Sequence, residues 1–383
     1  MISKLLKSVN GANDHSNLIS WLKLARTPEV SSAMFFELIN VFGSSEAALK
    51  NLDSMASSGG SKKKLAIPSD AEIELEISNT KRFDASMICA FEERYPKELI
   101  MISNPPPVLT VKGRIELLSA AKKIAIVGAR NASLNGIKMA ETLASELSNA
   151  GYVIVSGLAR GIDEAAQRVS IKNGTIGVIA GGIDNIYPRE NTELFKRLYK
   201  DGLVITEHKI GAGALPQNFS KRNRIISGLS AGVVVVEAAK RSGTLITARF
   251  AAEQGREVFA VPGSPFDIRC SGTNALIKNG ASLIEKAEDI ISELESDRYN
   301  LLSFKEKNLK FDSMTNSSKI PSDAELAKYR KKIFQLIPFN PISVYDIANY
   351  TEVDLLIVNY IILELELAGK ISRVYGNNVV RIP

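Results

Sequence analysis

Six short apolar runs between residues 122 and 296 limit what this chain can fold into. They are Lys123–Val127, Tyr152–Ser156, Ile176–Ala180, Leu203–Thr206, Gly232–Val236 and Glu257–Val261. None alternates strictly between polar and apolar residues, so each reads as a strand covered on both faces. The stretches between them suit amphipathic helices. Buried strands alternating with helices predict a doubly wound parallel sheet, an extended Rossmann-like α/β fold. In that fold ligands bind beyond the C-terminal ends of the strands, so strand-end residues are the first candidates for function.

The strand ends collect small and basic residues: Gly128-Ala129-Arg130, the turn Ser156–Gly161, Gly181-Gly182, Glu207-His208, Glu237 with Lys240-Arg241-Ser242-Gly243-Thr244, and Pro262-Gly263-Ser264. In VIVSGLARGIDEAAQ (Val153–Gln167) a strand passes through Gly157 and Gly161 into a helix with acidic residues in its first turn. Backbone N–H groups at such a turn make an anion site, and missing side chains let a phosphate come close. A tight turn would need the same glycines. Ahead of the fifth strand, Gln217–Arg224 supplies three cations (Lys221, Arg222, Arg224), three amides and the ring of Phe219. A solvated helix start would also account for that charge. Glycines, cations and a stacking ring on one sheet edge suit single-stranded nucleic acid.

Other chemistries lack their residues. No Walker motif and no G-x-S-x-G elbow occurs, and Gly128–Ser133 is not G-x-G-x-x-G. The second strand ends in Ser156-Gly157 rather than in an acid that would hold a ribose. His208 is the only histidine in this region, and Cys89 and Cys270 have no metal or redox spacing. No catalytic residue, metal or cofactor is expected. The net charge of +6 leans mildly toward polyanionic partners. The first residues lack an apolar signal region and no run is long enough to span a bilayer, so no membrane contact and a cytoplasmic location are expected.

The flanks read as separate modules. Residues 1–66 form a small helical module whose link Thr27–Ser31 lacks the glycines of a DNA-binding hairpin, which favours a packing role. Residues 67–121 read as a connecting segment, 122–296 as the sheet domain and 297–325 as a polar linker. Within 326–383, helices at Lys331–Leu336, Val344–Tyr350 and Asp354–Ala368 and strands at Ile371–Val374 and Val379–Ile382 predict a winged helix. Its third helix is aliphatic and net negative, a poor match for phosphate.

The ordered motifs Tyr95-Pro96, Pro105–Leu109, Ile126–Arg130, Ser156–Asp163, Ile186–Asn191, Asn218-Phe219, Arg222–Ser230, Glu237–Ala239, Ser242–Ala248, Val261–Gly263 and Ser271–Asn274 resemble the DNA-processing protein A (DprA, or Smf) family. Gln167 stands where that family often has histidine, and Ser220 where it usually has proline. The resemblance implies an N-terminal helical SAM-like module, a Rossmann-like domain and a C-terminal winged-helix domain. It implies a non-catalytic protein that binds single-stranded DNA, forms a homodimer through the Rossmann domain and helps load the RecA recombinase in natural transformation or recombination. Its binding residues carry over to Gly128, Arg130, Ser156, Gly157, Gly161, Phe219, Lys221, Asn223 and Arg224, with Arg130 and Lys221 on phosphates and Phe219 near a base. The alternative is a Rossmann-like nucleotide phosphoribohydrolase of the lysine-decarboxylase-like group. The Ser242-Gly243-Thr244 turn lacks the catalytic Glu that follows in that group.

Overall fold

A computed structural model describes residues 15–305, 323–374 and 377–382, in two compact units. One unit combines residues up to Glu74 with the C-terminal domain; the other lies between them in sequence.

The terminal unit begins with three helices, α1 (His15–Arg26), α2 (Ser32–Phe42) and α3 (Ser45–Ser58). Ser31 and Ser44 cap α2 and α3 by accepting the N–H of Met34 and Ala47, and Gly43 ends α2 at φ 78°. Trp21, Leu24, Phe35, Leu38 and Leu52 form the buried centre of this module. Helix α4 (Asp70–Arg82) follows.

The second unit holds nine strands: β1 (Ser86–Cys89), β2 (Val108–Gly113), β3 (Lys123–Val127), β4 (Val153–Ser156), β5 (Thr175–Val178), β6 (Leu203–Thr206), β7 (Gly232–Val235), β8 (Glu257–Ala260) and β9 (Ser282–Leu283). Their order across the sheet is β1-β2-β6-β5-β4-β3-β7-β8-β9. From β6 to β9 across the sheet all neighbours are parallel, whereas β2 runs antiparallel to both β1 and β6. Ala125 of β3 lies between Val155 and Val233. Helices α5 (Leu134–Asn149), α6 (Ile162–Ser170), α7 (Thr192–Asp201), α8 (Pro216–Gly228), α9 (Thr244–Glu253) and α10 (Ser271–Lys278) join the strands, and α11 (Ala287–Lys305) follows β9. One core cluster joins Leu143 and Leu147 of α5 to Ile126, Ile154, Val234 and Phe259; another gathers Phe195 and Leu198 of α7 with Leu158 and Val204. The chain winds outward from β3 to β6 and then returns to lay β7 against the other side of β3. The gap between the ends of β3 and β7 is therefore the topological switch point.

Two stretches differ from the sequence reading. Residues 67–121 are not a mere connection: they contribute α4 and two sheet strands. Helix α11 continues to Lys305, into the stretch read as linker, whereas residues 306–322 and the turn at Gly376 lie outside the described residues.

The C-terminal domain contains α12 (Asp323–Leu336), β10 (Ile342–Ser343), α13 (Val344–Thr351), α14 (Leu355–Leu367), β11 (Ile371–Val374) and β12 (Asn378–Arg381), with sheet order β10-β12-β11. This is the winged-helix arrangement, and its third helix, α14, is buried. Glu364, 2% exposed, accepts two hydrogen bonds from Arg330 at 2.7 and 2.8 Å. The N-terminal module packs on α14 so closely that a Cβ on Gly59 would lie 2.0 Å from the Glu364 carbonyl oxygen. The Phe42 and Tyr360 rings meet edge-on at 6.4 Å, and Arg373 joins Glu37 to Glu366. The aliphatic, acidic character of α14 is that of a helix packed within the chain.

Two expectations follow for this unit, both read from Trp21, the only tryptophan, which is buried in the module core. Deleting residues 326–383 uncovers the face of α3 and removes the Phe42–Tyr360 contact, itself worth about 0.5–1.5 kcal/mol. The Trp21 melting midpoint should fall by roughly 5–15 °C. The second concerns pH. Burial raises the Glu37 carboxyl from 4.5 to about 7, opposed by the Arg373 charge and aided by Glu366. Between those values the folded state keeps a proton that the unfolded chain has lost, so folding costs more as pH rises through that window. Relative to Glu37→Gln, the natural protein should lose stability from about pH 4.5 to 7 and stay level above it.

Candidate nucleic-acid interface

The switch point opens into a hollow of about 590 Å³, bordered by Gly128 and Arg130 after β3, Ser242-Gly243-Thr244 after β7, and Phe219 and Asn223 on α8. Thr244 donates its hydroxyl to the Gly128 carbonyl at 2.9 Å, and Asn223 donates its side-chain amide to the Gly243 carbonyl at 3.3 Å. The two strand-end loops are thereby tied together across the switch.

Carboxylates of the chain itself already engage the start of α5 and the amides of the turns after β3 and β4. Glu237, at the end of β7, accepts the Ser133 N–H at 3.0 Å and its hydroxyl at 2.5 Å, at the start of α5. A Cβ on Gly136 would lie 2.5 Å from the Glu237 carboxyl carbon. Asp163, 6% exposed, accepts the Gly157 N–H at 3.1 Å and also the N–H groups of Gly128 and Ala159. Burial raises the Asp163 carboxyl, while the Arg222 guanidinium and these amides favour its ionised form. Burial lowers Arg222 to about 10; Asp163 opposes that shift and the Arg130 charge adds to it. The start of α5 and the turn amides ahead of α6, where a dinucleotide's phosphates sit elsewhere, are engaged internally.

This changes how the glycines act. The Gly157 and Gly128 amides serve Asp163, and a Cβ on Gly157 would lie 2.2 Å from an Arg222 nitrogen. A Cβ on Gly128 would lie 2.5 Å from the Ile162 side chain. Gly161, at φ 79°, sits against the Ala129 carbonyl, where a Cβ would lie 2.4 Å from the oxygen. These three glycines permit close packing of the turns.

The exposed chemistry comes from side chains. Phe219, half-buried in the first turns of α8, has Arg130 Cζ 5.3 Å and Arg222 Cζ 5.9 Å from its ring centre. Arg130 and Arg241 are exposed on the rim of the hollow, and Arg269, paired with Asp267 at 2.8 Å, also borders it. Beyond Phe219 and Arg130 lies a second hollow, of about 470 Å³, reached over the same two side chains and bordered also by Gly157.

Gly128, Arg130, Gly157, Phe219 and Asn223 thus line these two hollows. Lys221 is exposed on α8, outside the lining of either. Ser156 is buried and donates its hydroxyl to the Ile126 carbonyl at 2.6 Å, which links β4 to β3. Arg224 turns away: it grips Glu207 through two hydrogen bonds of 2.8 and 2.7 Å and donates to the Asn104 carbonyl at 2.9 Å. Gln167 accepts the Leu158 N–H at 3.1 Å and donates to the Ile176 carbonyl at 3.1 Å, so it braces the Gly157 turn. Sequence reasoning did not single out Asp163, Arg269 or Tyr187. An acid placed just after a glycine-rich turn is the available signal for Asp163.

Comparison with known proteins agrees across the chain. Residues 86–295 match the family model of DNA recombination-mediator protein A, residues 15–78 a DprA-like N-terminal HHH domain, and residues 317–377 a DprA winged helix domain. DNA processing protein DprA of Bacillus subtilis is 50% identical over 204 residues, 53% of this chain and 69% of that one. The crystal structure of DNA processing protein A from Streptococcus pneumoniae superposes with a TM-score of 0.64 at 34% identity, over 74% of this chain and 99% of that one. A structure bearing on the single-stranded DNA binding mode of the Helicobacter pylori protein superposes with a TM-score of 0.52 at 31% identity, over 56% of this chain and 96% of that one.

Proposed function

The chain belongs to the DNA recombination-mediator protein A family, and from that premise we propose that it is a non-catalytic protein that binds single-stranded DNA across the Phe219–Arg130 ridge. It acts in DNA processing and recombination. The observation that carries the reading is the ridge itself: a half-buried ring, two guanidiniums near it and a hollow on either side. Cations hold phosphates and a ring stacks on any base, so such a site tolerates sequence. A duplex keeps its bases inside and cannot reach the ring. The Helicobacter protein's single-strand binding supports the same reading. Lys221 and Arg130 neutralise phosphates along the path. Arg224, Ser156, Gly128, Gly157 and Gly161 shape the edge by packing, and Asn223 fixes the loop beneath it.

The family resemblance extends the proposal to a homodimer through the Rossmann-like domain and to delivery of the strand to the RecA recombinase in the cytoplasm. Phe266, fully exposed, and Ile268, 75% exposed, beside α10 are apolar surface that a second copy would cover. Among the described residues no helix is long and apolar enough to cross a membrane. For the enzymatic alternative, two of the strand-end carboxylates, Glu237 and Asp163, are engaged in backbone hydrogen bonds, and Glu190 at the second hollow pairs with Arg160.

The test is a titration with single-stranded and blunt duplex oligonucleotides of matched length, beside an assay for base release from nucleoside monophosphates. Tighter single-strand binding without base release is expected. Equal affinity for the duplex contradicts the binding mode, and base release contradicts the non-catalytic assignment.

A further inference from the structure

We propose that the hollow bordered by Tyr187 is a second nucleotide subsite, one that takes the base next in line on the same single strand. The proposal rests on the single-strand reading above. The Tyr187 ring stands 5.5 Å from Phe219, centre to centre, at 62°. It is 48% exposed although it borders a hollow, so part of its apolar surface is open to a flat partner. Its segment is anchored: Asn191, 2% exposed, donates its amide to the Leu158 carbonyl at 3.0 Å, which joins the Tyr187 loop to the glycine-rich turn after β4. A ring held on a fixed loop stacks at little entropic cost.

Charge agrees with this use. Three arginines, Arg130, Arg160 and Arg189, border the hollow against one carboxylate, Glu190. Glu190 meets Arg160 at 3.5 Å, and both side chains are more than half exposed, a weak pair that a phosphate can replace. Arg130 borders both hollows, so the phosphate linking two bound nucleotides falls beside it. One base then lies at Phe219 and the next at Tyr187.

The experiment uses full-length protein and oligothymidylates of increasing length, with a parallel series carrying single abasic positions. Tyr187→Ala should weaken binding of the longer oligonucleotides roughly 5- to 150-fold. It should leave the shortest bound oligonucleotide unaffected, and Tyr187→Phe should bind like the natural protein. One abasic position should remove the difference between Tyr187→Ala and the natural protein. If Tyr187→Ala binds like the natural protein at every length while Phe219→Ala is weakened, the subsite is overturned and the single-strand reading stands. If Phe219→Ala and Arg130→Ala also bind normally, the single-strand reading itself has failed. A loss in Tyr187→Ala that persists on abasic strands contradicts base stacking at Tyr187.

Discussion

Replacing Asp163 by alanine should destabilise the sheet domain by about 3–5 kcal/mol, the scale of leaving a buried charge without a neighbouring opposite charge. Arg222 would keep its charge in a buried position with Asp163 gone, and the N–H groups of Gly157, Gly128 and Ala159 would lose their acceptor. Circular dichroism in a denaturant titration would follow the sheet domain. Trp21 fluorescence would follow the terminal unit in the same sample and should not shift. Asp163→Asn keeps an acceptor for an amide and loses only the charge, so it should fall between the two. An unchanged circular-dichroism midpoint for Asp163→Ala would show that the Asp163 carboxylate does not hold this edge together.

Asp163 and its neighbours explain what was legible in the sequence and what was not. Strands β3 to β8 stood out because burial on both faces removes polar alternation, and that property is local. The glycines at positions 128, 157 and 161 stood out as a close approach, but the partner in that approach did not. Whether a turn's amides face a ligand or an acid of the same chain depends on the path of α6, which brings Asp163 back beneath Gly157. The run Lys221–Arg224 read as a block of charge. On α8 successive residues point about 100° apart. Arg222 therefore goes inward to the Val178 carbonyl, Arg224 goes to Glu207, and Lys221 stays outside. Those acceptors are distant in sequence, so composition could not separate the three. Strand β2 escaped notice because VLTVKG follows a proline run, and only its antiparallel pairing with β6 identifies it as a sheet strand. The acidic third helix of the winged-helix domain was legible as unsuited to phosphate. The surface that covers it, α3, lies about 300 residues earlier in the chain.

The largest expected effects on binding belong to the ridge. Phe219→Ala removes a stacking surface worth about 1–3 kcal/mol per base and leaves the charges in place. Arg130→Ala removes one phosphate contact, which lowers affinity and flattens the log–log salt dependence by roughly 0.7. Because Arg130 lies against the Phe219 ring, the two side chains support each other, and the double variant should lose other than the sum of the single losses. Deleting residues 326–383 should leave this binding largely intact, since every residue of the ridge lies in the sheet domain.

The most direct test of the ridge is the affinity of one single-stranded oligonucleotide for the natural protein, Arg130→Ala and Phe219→Ala, measured at several salt concentrations. The expected result is weaker binding in both variants, with a flatter salt slope for Arg130→Ala and an unchanged slope for Phe219→Ala. Natural affinity and slope in both folded variants would contradict it and place the DNA elsewhere on the protein.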